Sequence, residues 1–282
     1  MTSRDSRRQA VNNVMLTLTG VCAIITVSTL FLILAYLIYN GGKSLNPAFF
    51  THLPAGEGES GGGIANAIIG SAEIIALASL MGIPIGFFAG VYLAEFSGKT
   101  FGFVIRYMAD LLNGVPSIVI GLFAWIVVVH PMGHFSAFAG GVALGIMLIP
   151  ITARNTEQFL QEVPRTMREG ALALGASKWR AIVTVIVPAA RKGIMTGIIL
   201  GVARISGETA PLLFTALGNE FWTRSVMEPT ASLPVVIYNY ATSPYEDWHQ
   251  QAWAAGLVLL GLVLTANIAA RMIVSRGASL PK

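Results

Sequence analysis

The sequence contains few charged residues and a single cysteine. Of its 282 residues, 11% are Asp, Glu, Lys or Arg, whereas 54% are apolar. Because Cys22 stands alone, an internal disulfide and a cysteine-based metal site are excluded. The pattern G-x-x-x-x-G-K-[ST], whose loop holds nucleotide phosphates, is also missing from the sequence. We therefore expect no ATP site of the usual kind in this chain.

Long apolar runs recur along the whole chain. Their length, about 20 residues, suits helices that cross a bilayer. Residues 30–34 are apolar on every side, whereas a barrel strand would alternate apolar and polar residues. We predict an all-α integral membrane protein with six transmembrane helices, at residues 14–39, 68–96, 105–129, 140–158, 189–217 and 252–273.

The basic residues fall mostly on one side of the predicted membrane. That side holds Arg4, Arg7, Arg8, Lys99, Arg106, Arg165, Arg168, Lys178, Arg180, Arg271, Arg276 and Lys282. Lys43 and Arg224 fall on the other side, together with an acidic link at residues 220–247. The positive-inside rule then predicts that both termini are cytoplasmic. The net charge of +4 follows from this bias and does not indicate nucleic-acid binding.

A polar and basic segment, residues 161–188, separates the fourth and fifth predicted helices. Apolar residues recur in its first part at intervals of three or four, at Val163, Met167, Ala171 and Leu174. This spacing predicts a short amphipathic helix, with Arg168 on a different face from these residues. Gly175 allows a sharp turn, and Ser177 is suited to cap a second short helix before Pro188 opens the next membrane helix.

The spacing within this segment resembles the cytoplasmic coupling loop of ABC importer permeases. That pattern runs E-A-A, three residues, G, nine residues, I, one residue, L-P. The chain matches it at Glu169, Ala171, Gly175, Val185 and Pro188. Gly170 replaces the first alanine and Val187 the leucine. The resemblance implies contact with a separate ATPase subunit through Glu169, Gly170, Ala171, Leu172, Gly175, Val185 and Pro188. The alternative is an interfacial amphipathic helix on anionic lipid.

Two charged residues, Arg204 and Glu208, lie in the fifth predicted helix. Because they are four residues apart, we expect them to share a helix face. Charges at membrane depth generally face the bundle interior or a water-filled path. Gly207 and Pro211 are expected to loosen the helix around them. The two charges then form either a station on a transport path or a buried ion pair that locks helices together.

The residues around this pair, A-R-I-S-G-E-T-A-P-L-L-F-T-A at 203–216, resemble the phosphate-specific members of the importer family. Similar segments lie at 150–157 in the fourth helix and 113–121 in the third. The resemblance covers most of the chain from about residue 64 to 271.

This second resemblance implies that Arg204, Glu208 and Arg154 line a route for phosphate. The planar fork of arginine matches two phosphate oxygens at once. Glu157, beside Arg154, would keep anion binding weak enough for transit. For this pair too, the alternative is a buried ion pair that locks helices together. Helix counting places Arg204 deeper in the membrane than Arg154, which favours two stations over one site. Glu73 and Asp110 also lie in predicted helices, where packing or interfacial roles are expected.

The resemblance further implies a type I ABC importer permease fold. It divides the chain into residues 1–63 (cytoplasmic N-terminus, first helix and external glycine-rich loop), a permease domain at 64–274, and a cytoplasmic tail at 275–282. The implied assembly lies in a bacterial inner membrane and contains a second homologous permease, a cytoplasmic ATPase dimer that binds the ATP, and an external phosphate-binding protein. No cofactor or metal is expected in the chain itself. Alternatives are a permease for another oxyanion, such as sulfate or molybdate, and an intramembrane enzyme using Glu208.

Overall fold

The computed structural model describes residues 3–56, 59 and 61–276. Over these residues the regular elements are helical: α1 (Ser3–Gly41), a 3₁₀ turn (Gly42–Ser44), α2 (Pro47–Thr51), α3 (Ala65–Glu95), α4 (Lys99–Gly114), α5 (Ser117–Ala124), a π-turn (Trp125–Val129), α6 (His130–Met132), α7 (Ala137–Gln161), α8 (Arg165–Ala173), α9 (Lys178–Ala181), a π-turn (Ile182–Ile186), α10 (Val187–Ile205), α11 (Ala210–Leu213), α12 (Leu233–Ala241) and α13 (Glu246–Arg276). The predicted all-α fold is confirmed.

Five helical runs are long and apolar enough to cross a membrane. They are Arg7–Ser44, Ala65–Glu95, Ala137–Gln161, Lys178–Ile205 and Glu246–Met272. A sixth crossing is formed by Lys99–Gly114 and Ser117–Met132 together, which meet at an angle of 101°. The chain is therefore a multi-pass membrane protein, with six apolar crossings when the bent pair is counted as one.

The third predicted helix, residues 105–129, is not one straight helix. It breaks between α4 and α5, where Val115 is extended (φ −68°, ψ 132°) just before Pro116. Proline lacks the backbone N–H that would continue the helix, and it disfavours helical geometry in the residue before it. The prediction of a single uninterrupted helix there was wrong for this reason.

The fifth predicted helix, residues 189–217, is wrong at both ends. It begins at Lys178, because α9, the second π-turn and α10 form one continuous run that passes through Pro188. The π-turn makes this possible: Val187 donates its N–H to Ile182 O, five residues back, so the hydrogen-bond register shifts just before the proline. The run ends at Ile205, well before residue 217.

Helices α3 and α7 form the most extensive contact in the bundle. Gly82, Gly86 and Gly90 lie one turn apart on α3 and face α7. A Cβ atom on Gly86 would lie 2.6 Å from Thr152 Cβ, and one on Gly90 would lie 2.5 Å from Ala153 O. Only glycine allows so close an approach, as is common where membrane helices pack.

The remaining helices surround this pair. Helix α10 packs on α7, and α13 packs on α12, α10 and α1. At the end opposite α8, the short helix α12 is held by Ser71 of α3, whose hydroxyl accepts a hydrogen bond from Leu233 N at 2.7 Å. Helix α1 lies outside, against α13, where Tyr36 and Trp253 meet edge to face with centroids 5.2 Å apart. Most of the apolar side chains of α1 are exposed, which is suited to contact with lipid.

Candidate functional site

A buried carboxylate, Glu157, lies at the centre of a charged cluster between α4 and α7. Its side chain is 2% exposed. One oxygen, Oε1, accepts from Arg106 Nε at 2.5 Å and from Gln161 Nε2 at 3.0 Å. The other, Oε2, accepts from Arg154 Nη1 at 2.6 Å. Two guanidinium groups thus compensate one carboxylate that has almost no contact with solvent.

The two arginines of the cluster also form hydrogen bonds with other partners. Arg154 also donates to both carboxylate oxygens of Asp110, at 2.9 and 3.3 Å. Arg106 also donates to Leu93 O at 3.0 Å and to Ser97 Oγ at 3.2 Å. The cluster of Arg106, Asp110, Arg154 and Glu157 is neutral overall and joins α4 to α7 and to the end of α3.

Sequence reasoning placed Arg154 and Glu157 together and missed their two partners on α4. The signal was the spacing of Arg106 and Asp110, which are four residues apart and so lie on one helix face. The contacts match the alternative in which these charges lock helices together. Whether Arg154 and Glu157 also contact a transported ion stays a prediction.

Arg204 has a different environment from Arg154. It lies in the last turn of α10, and its side chain is exposed. It forms no ion pair or side-chain hydrogen bond with any described residue. Glu208 lies beyond the end of the helix, in the unwound residues between α10 and α11, and is half-buried. The prediction that Arg204 and Glu208 share a helix face was therefore wrong, because Gly207 and Pro211 end the helix instead of only loosening it.

The two arginines lie at different depths. Asn155, the neighbour of Arg154, donates its amide to Gly197 O of α10 at 3.3 Å. Arg204 lies seven residues further along α10, which is about 10 Å at 1.5 Å per residue. The adjacent Ile205 packs in the core with Leu148, near the middle of α7. Arg204 is thus close to mid-depth in the bundle, and Arg154 is closer to α8.

The segment at 161–188 folds as a helix, a turn and a second helix, as predicted. Gly175 adopts φ +83° directly after α8. Its N–H donates to Leu172 O at 2.9 Å, and Ala176 N donates to Ala171 O at 3.1 Å, which together form a Schellman C-cap. Ser177 then caps α9 by accepting from Arg180 N. The second helix is the start of the membrane span, so it is not a separate surface helix.

The inward face of α8 differs from the predicted one. Arg168 is the residue that reaches the bundle, where it pairs with Glu95 at the end of α3 and donates to Leu160 O. Lys178 also donates to Glu95 O, and its ammonium lies over the ring of Phe96, 4.4 Å from the ring centroid. The Glu95 side chain is 7% exposed, so this is a buried ion pair. Helix α8 is thereby fixed to α3 as well as to its chain neighbours.

The outward face of α8 and its turn is partly apolar. Leu174 is 91% exposed, and Met167, Leu172 and Trp179 are also exposed. Of the residues predicted to contact an ATPase, Glu169, Gly170, Leu172, Gly175 and Pro188 are exposed, and Ala171 and Val185 are half-buried. A polar loop that presents several apolar side chains to solvent is typical of a protein interaction surface.

The fold is shared with a membrane chain of a solved transporter. A chain of the crystallised bacterial alginate ABC transporter, solved with an alginate-bound periplasmic protein, superposes with a TM-score of 0.67. The match covers 99% of both chains at 15% sequence identity. Residues 82–277 match the family of binding-protein-dependent transport system inner membrane components, and the chain belongs to that family.

Two curated relatives share the name phosphate transport system permease protein PstA. The protein from Haemophilus influenzae is 46% identical over 94% of this chain and 94% of its own length. The protein from Yersinia pestis is 43% identical over 97% of this chain and 93% of its own length. Both similarities therefore extend over nearly the whole of each chain.

Removing the buried carboxylate should destabilise the bundle far more than removing its exposed neighbour. We expect Glu157→Gln to cost about 3–5 kcal/mol, because it leaves two guanidinium groups without their shared charge. Asp110→Asn is the matched control, since the Asp110 side chain is 55% exposed, and it should cost less than about 1 kcal/mol. Thermal unfolding of both purified variants in detergent measures the difference. Equal melting temperatures would contradict a central role for Glu157.

Proposed function

We propose that the chain is the transmembrane permease subunit of an ATP-driven importer of inorganic phosphate. The extensive similarity to proteins named as phosphate transport permeases supports this function. The observation that carries it is Arg204, which lies in the middle of the bundle and pairs with no carboxylate of the described residues.

An arginine at bilayer mid-depth is costly if it faces lipid. Arg106 and Arg154, nearer to α8, pair with carboxylates, but Arg204 has no such partner among the described residues. Its exposed side chain must then face either a water-filled path or a second subunit that encloses that path. We place the phosphate route along this face of α10.

The chemistry of Arg204 suits a transient phosphate site. A divalent oxyanion that leaves water needs donors in its place, and guanidinium offers two parallel N–H groups with a permanent charge. Glu208 lies within one turn of chain and adds an opposing charge that keeps the site from holding the anion tightly. Arg154 and Glu157 form the second station. There the Glu157 carboxylate already accepts one of the hydrogen bonds that the Arg154 guanidinium can donate.

Three further proteins complete the proposed assembly in a bacterial inner membrane. A homologous permease forms the other half of the route, and an external binding protein delivers phosphate. A cytoplasmic ATPase dimer binds the ATP and contacts the exposed face of α8, so the chain itself is not an enzyme. Basic residues near α8 and α9 support a cytoplasmic position for that end and for both termini.

Force from the ATPase would reach the membrane helices by three routes. Helix α8 is joined to the continuous run of α9 and α10 by the turn at Gly175, and it follows α7 after a short turn. The third route is the buried Arg168–Glu95 pair, which joins α8 to α3. ATP-driven closure that moves α8 would therefore move α3, α7 and α10, and with them both charged stations.

Replacing Arg204 should stop transport without dismantling the complex. In reconstituted vesicles containing the complete transporter, we expect Arg204→Gln to lower phosphate uptake by at least about tenfold, equivalent to about 1.4 kcal/mol. Arg204→Lys should retain more uptake, since it keeps the charge but not the fork. Arg191→Gln, an exposed arginine on the same helix, is the control and should transport normally.

Two results of this experiment would contradict the assignment. Normal phosphate uptake by Arg204→Gln would remove Arg204 from the route. If the unmodified transporter takes up sulfate or molybdate in preference to phosphate, the assigned substrate is wrong. The assignment as a permease would still hold.

Replacing glycine by alanine should disturb the turn after α8 at position 175 but not at position 170. Gly175→Ala places a side chain at φ +83°, which we expect to cost about 1 kcal/mol and to displace the exposed Leu174. Gly170→Ala lies in the helix with no atom within 4 Å of the added Cβ, and it should be neutral or stabilising by up to about 1 kcal/mol.

The readout is copurification of the ATPase together with phosphate-stimulated ATP hydrolysis. Gly175→Ala should weaken both, and Gly170→Ala should preserve both. The coupling assignment fails if the two variants behave alike.

A further inference from the structure

A cavity of about 320 Å³ lies at the end of the bundle opposite α8. It is formed by the first turn of α3, the segment that follows α11, the helix α12 and the first turn of α13. Its polar and aromatic lining consists of Asn66, Asn219, Glu220, Asn239, Tyr240 and Trp248. This end carries no residue of the two charged stations, so the cavity is separate from the proposed phosphate route.

One wall of the cavity contains a buried acceptor with no partner. Asn66 is 5% exposed, and its Nδ2 donates to Asn219 O at 2.6 Å. That bond fixes the orientation of the amide and turns Oδ1 away from Asn219. Oδ1 is buried and has no hydrogen-bond partner among the described residues. A buried amide oxygen is normally satisfied, so a ligand that reached this wall of the cavity would gain by donating to it.

The mouth of the cavity contains a carboxylate with no cation. Glu220 is exposed and forms no ion pair with any described residue. Burial raises the pKa of Tyr240 to about 12, and the negative charge of Glu220 contributes to the shift. The field of Glu220 therefore reaches the buried hydroxyl, which stays protonated. The ring of Tyr240 stacks on Trp248 with centroids 4.6 Å apart.

These groups select the charge of a ligand. An anion such as phosphate would be repelled by Glu220 and would find an acceptor, not a donor, at Asn66. A cation with several N–H groups would satisfy both, and an aromatic wall favours guanidinium in particular. Val235, Val236 and Leu217 also line the cavity and suit the methylene stem of such a side chain.

We propose that this cavity receives an arginine side chain from the external binding protein. The proposal rests on the proposed function, which supplies that partner. Charge complementarity supports it, since Glu220, Glu228, Glu246 and Asp247 make this side of the chain acidic. The basic residues of the same side are Lys43, whose ammonium lies over the ring of Tyr39 at 4.5 Å, and Arg224, which does not pair with Glu220. Charge complementarity of this kind steers a docking partner and fixes its register, and removing one member of a buried charge pair lowers the affinity.

The test uses the complete transporter in nanodiscs and its phosphate-loaded binding protein as the probe. Glu220→Gln should raise the binding-protein concentration that half-saturates both binding and ATP hydrolysis by about tenfold, with the maximal hydrolysis rate unchanged. Glu246→Gln, whose carboxylate is 81% exposed outside the cavity, is the matched control and should shift it less than about twofold. Ethylguanidinium should compete with the binding protein on the unmodified transporter more strongly than sodium at equal ionic strength. It should lose that advantage on Glu220→Gln.

Three outcomes would overturn the proposal. One is an unchanged half-saturating concentration in Glu220→Gln, and another is an equal shift in Glu246→Gln. A third is an Arg224→Ala variant whose half-saturating concentration rises as much as that of Glu220→Gln. That result would assign the cavity to an arginine of this chain. Because the readout is binding and hydrolysis, a transporter that engages its binding protein but carries a different anion would refute the phosphate assignment and leave the cavity proposal standing.

Discussion

The close contact between α3 and α7 determines where the other functional elements lie. Three glycines of α3 allow its backbone to approach the backbone of α7. The two ends of α3 then have defined neighbours. Its first turn places Asn66 in the wall of the cavity opposite α8, and its last residue, Glu95, binds Arg168 of α8. Since α7 carries Glu157 and Arg154, the same contact fixes the charged cluster relative to α8.

The arginines of the bundle divide into two groups by their partners. Arg106 and Arg154 share a carboxylate that is 2% exposed, and Arg168 pairs with one that is 7% exposed. Breaking such pairs leaves an uncompensated buried charge, so these pairs help to hold the helices together. Arg204 has no carboxylate partner within the described part of the chain, which is why we propose it as the arginine that meets the anion.

Features set by nearby residues could be predicted from the sequence. The membrane helices follow from apolar length, and the turn after α8 follows from Gly175 and Ser177. Two helix boundaries were predicted wrongly because a proline has different effects in different settings. Pro116 ends a helix, whereas a π-turn lets the helical run continue through Pro188. Arg106 is 51 residues from Glu157 and Glu95 is 73 residues from Arg168 in sequence, so helix spacing could show which face a residue lies on but not which distant helix it pairs with. The contact of α3 with α7 was missed although its signal, glycine at every fourth position from 82 to 90, was present.

The central claim is that Arg204 faces an aqueous route through the membrane. The most direct measurement is the reactivity of Arg204→Cys, in a Cys22→Ser background and with partner subunits free of reactive cysteines, towards water-soluble methanethiosulfonate ethylammonium. The account predicts modification that phosphate-driven turnover accelerates, and partial recovery of phosphate uptake as the reagent restores a positive charge. Reaction with a lipid-soluble maleimide alone would show that position 204 faces lipid, and would contradict the account.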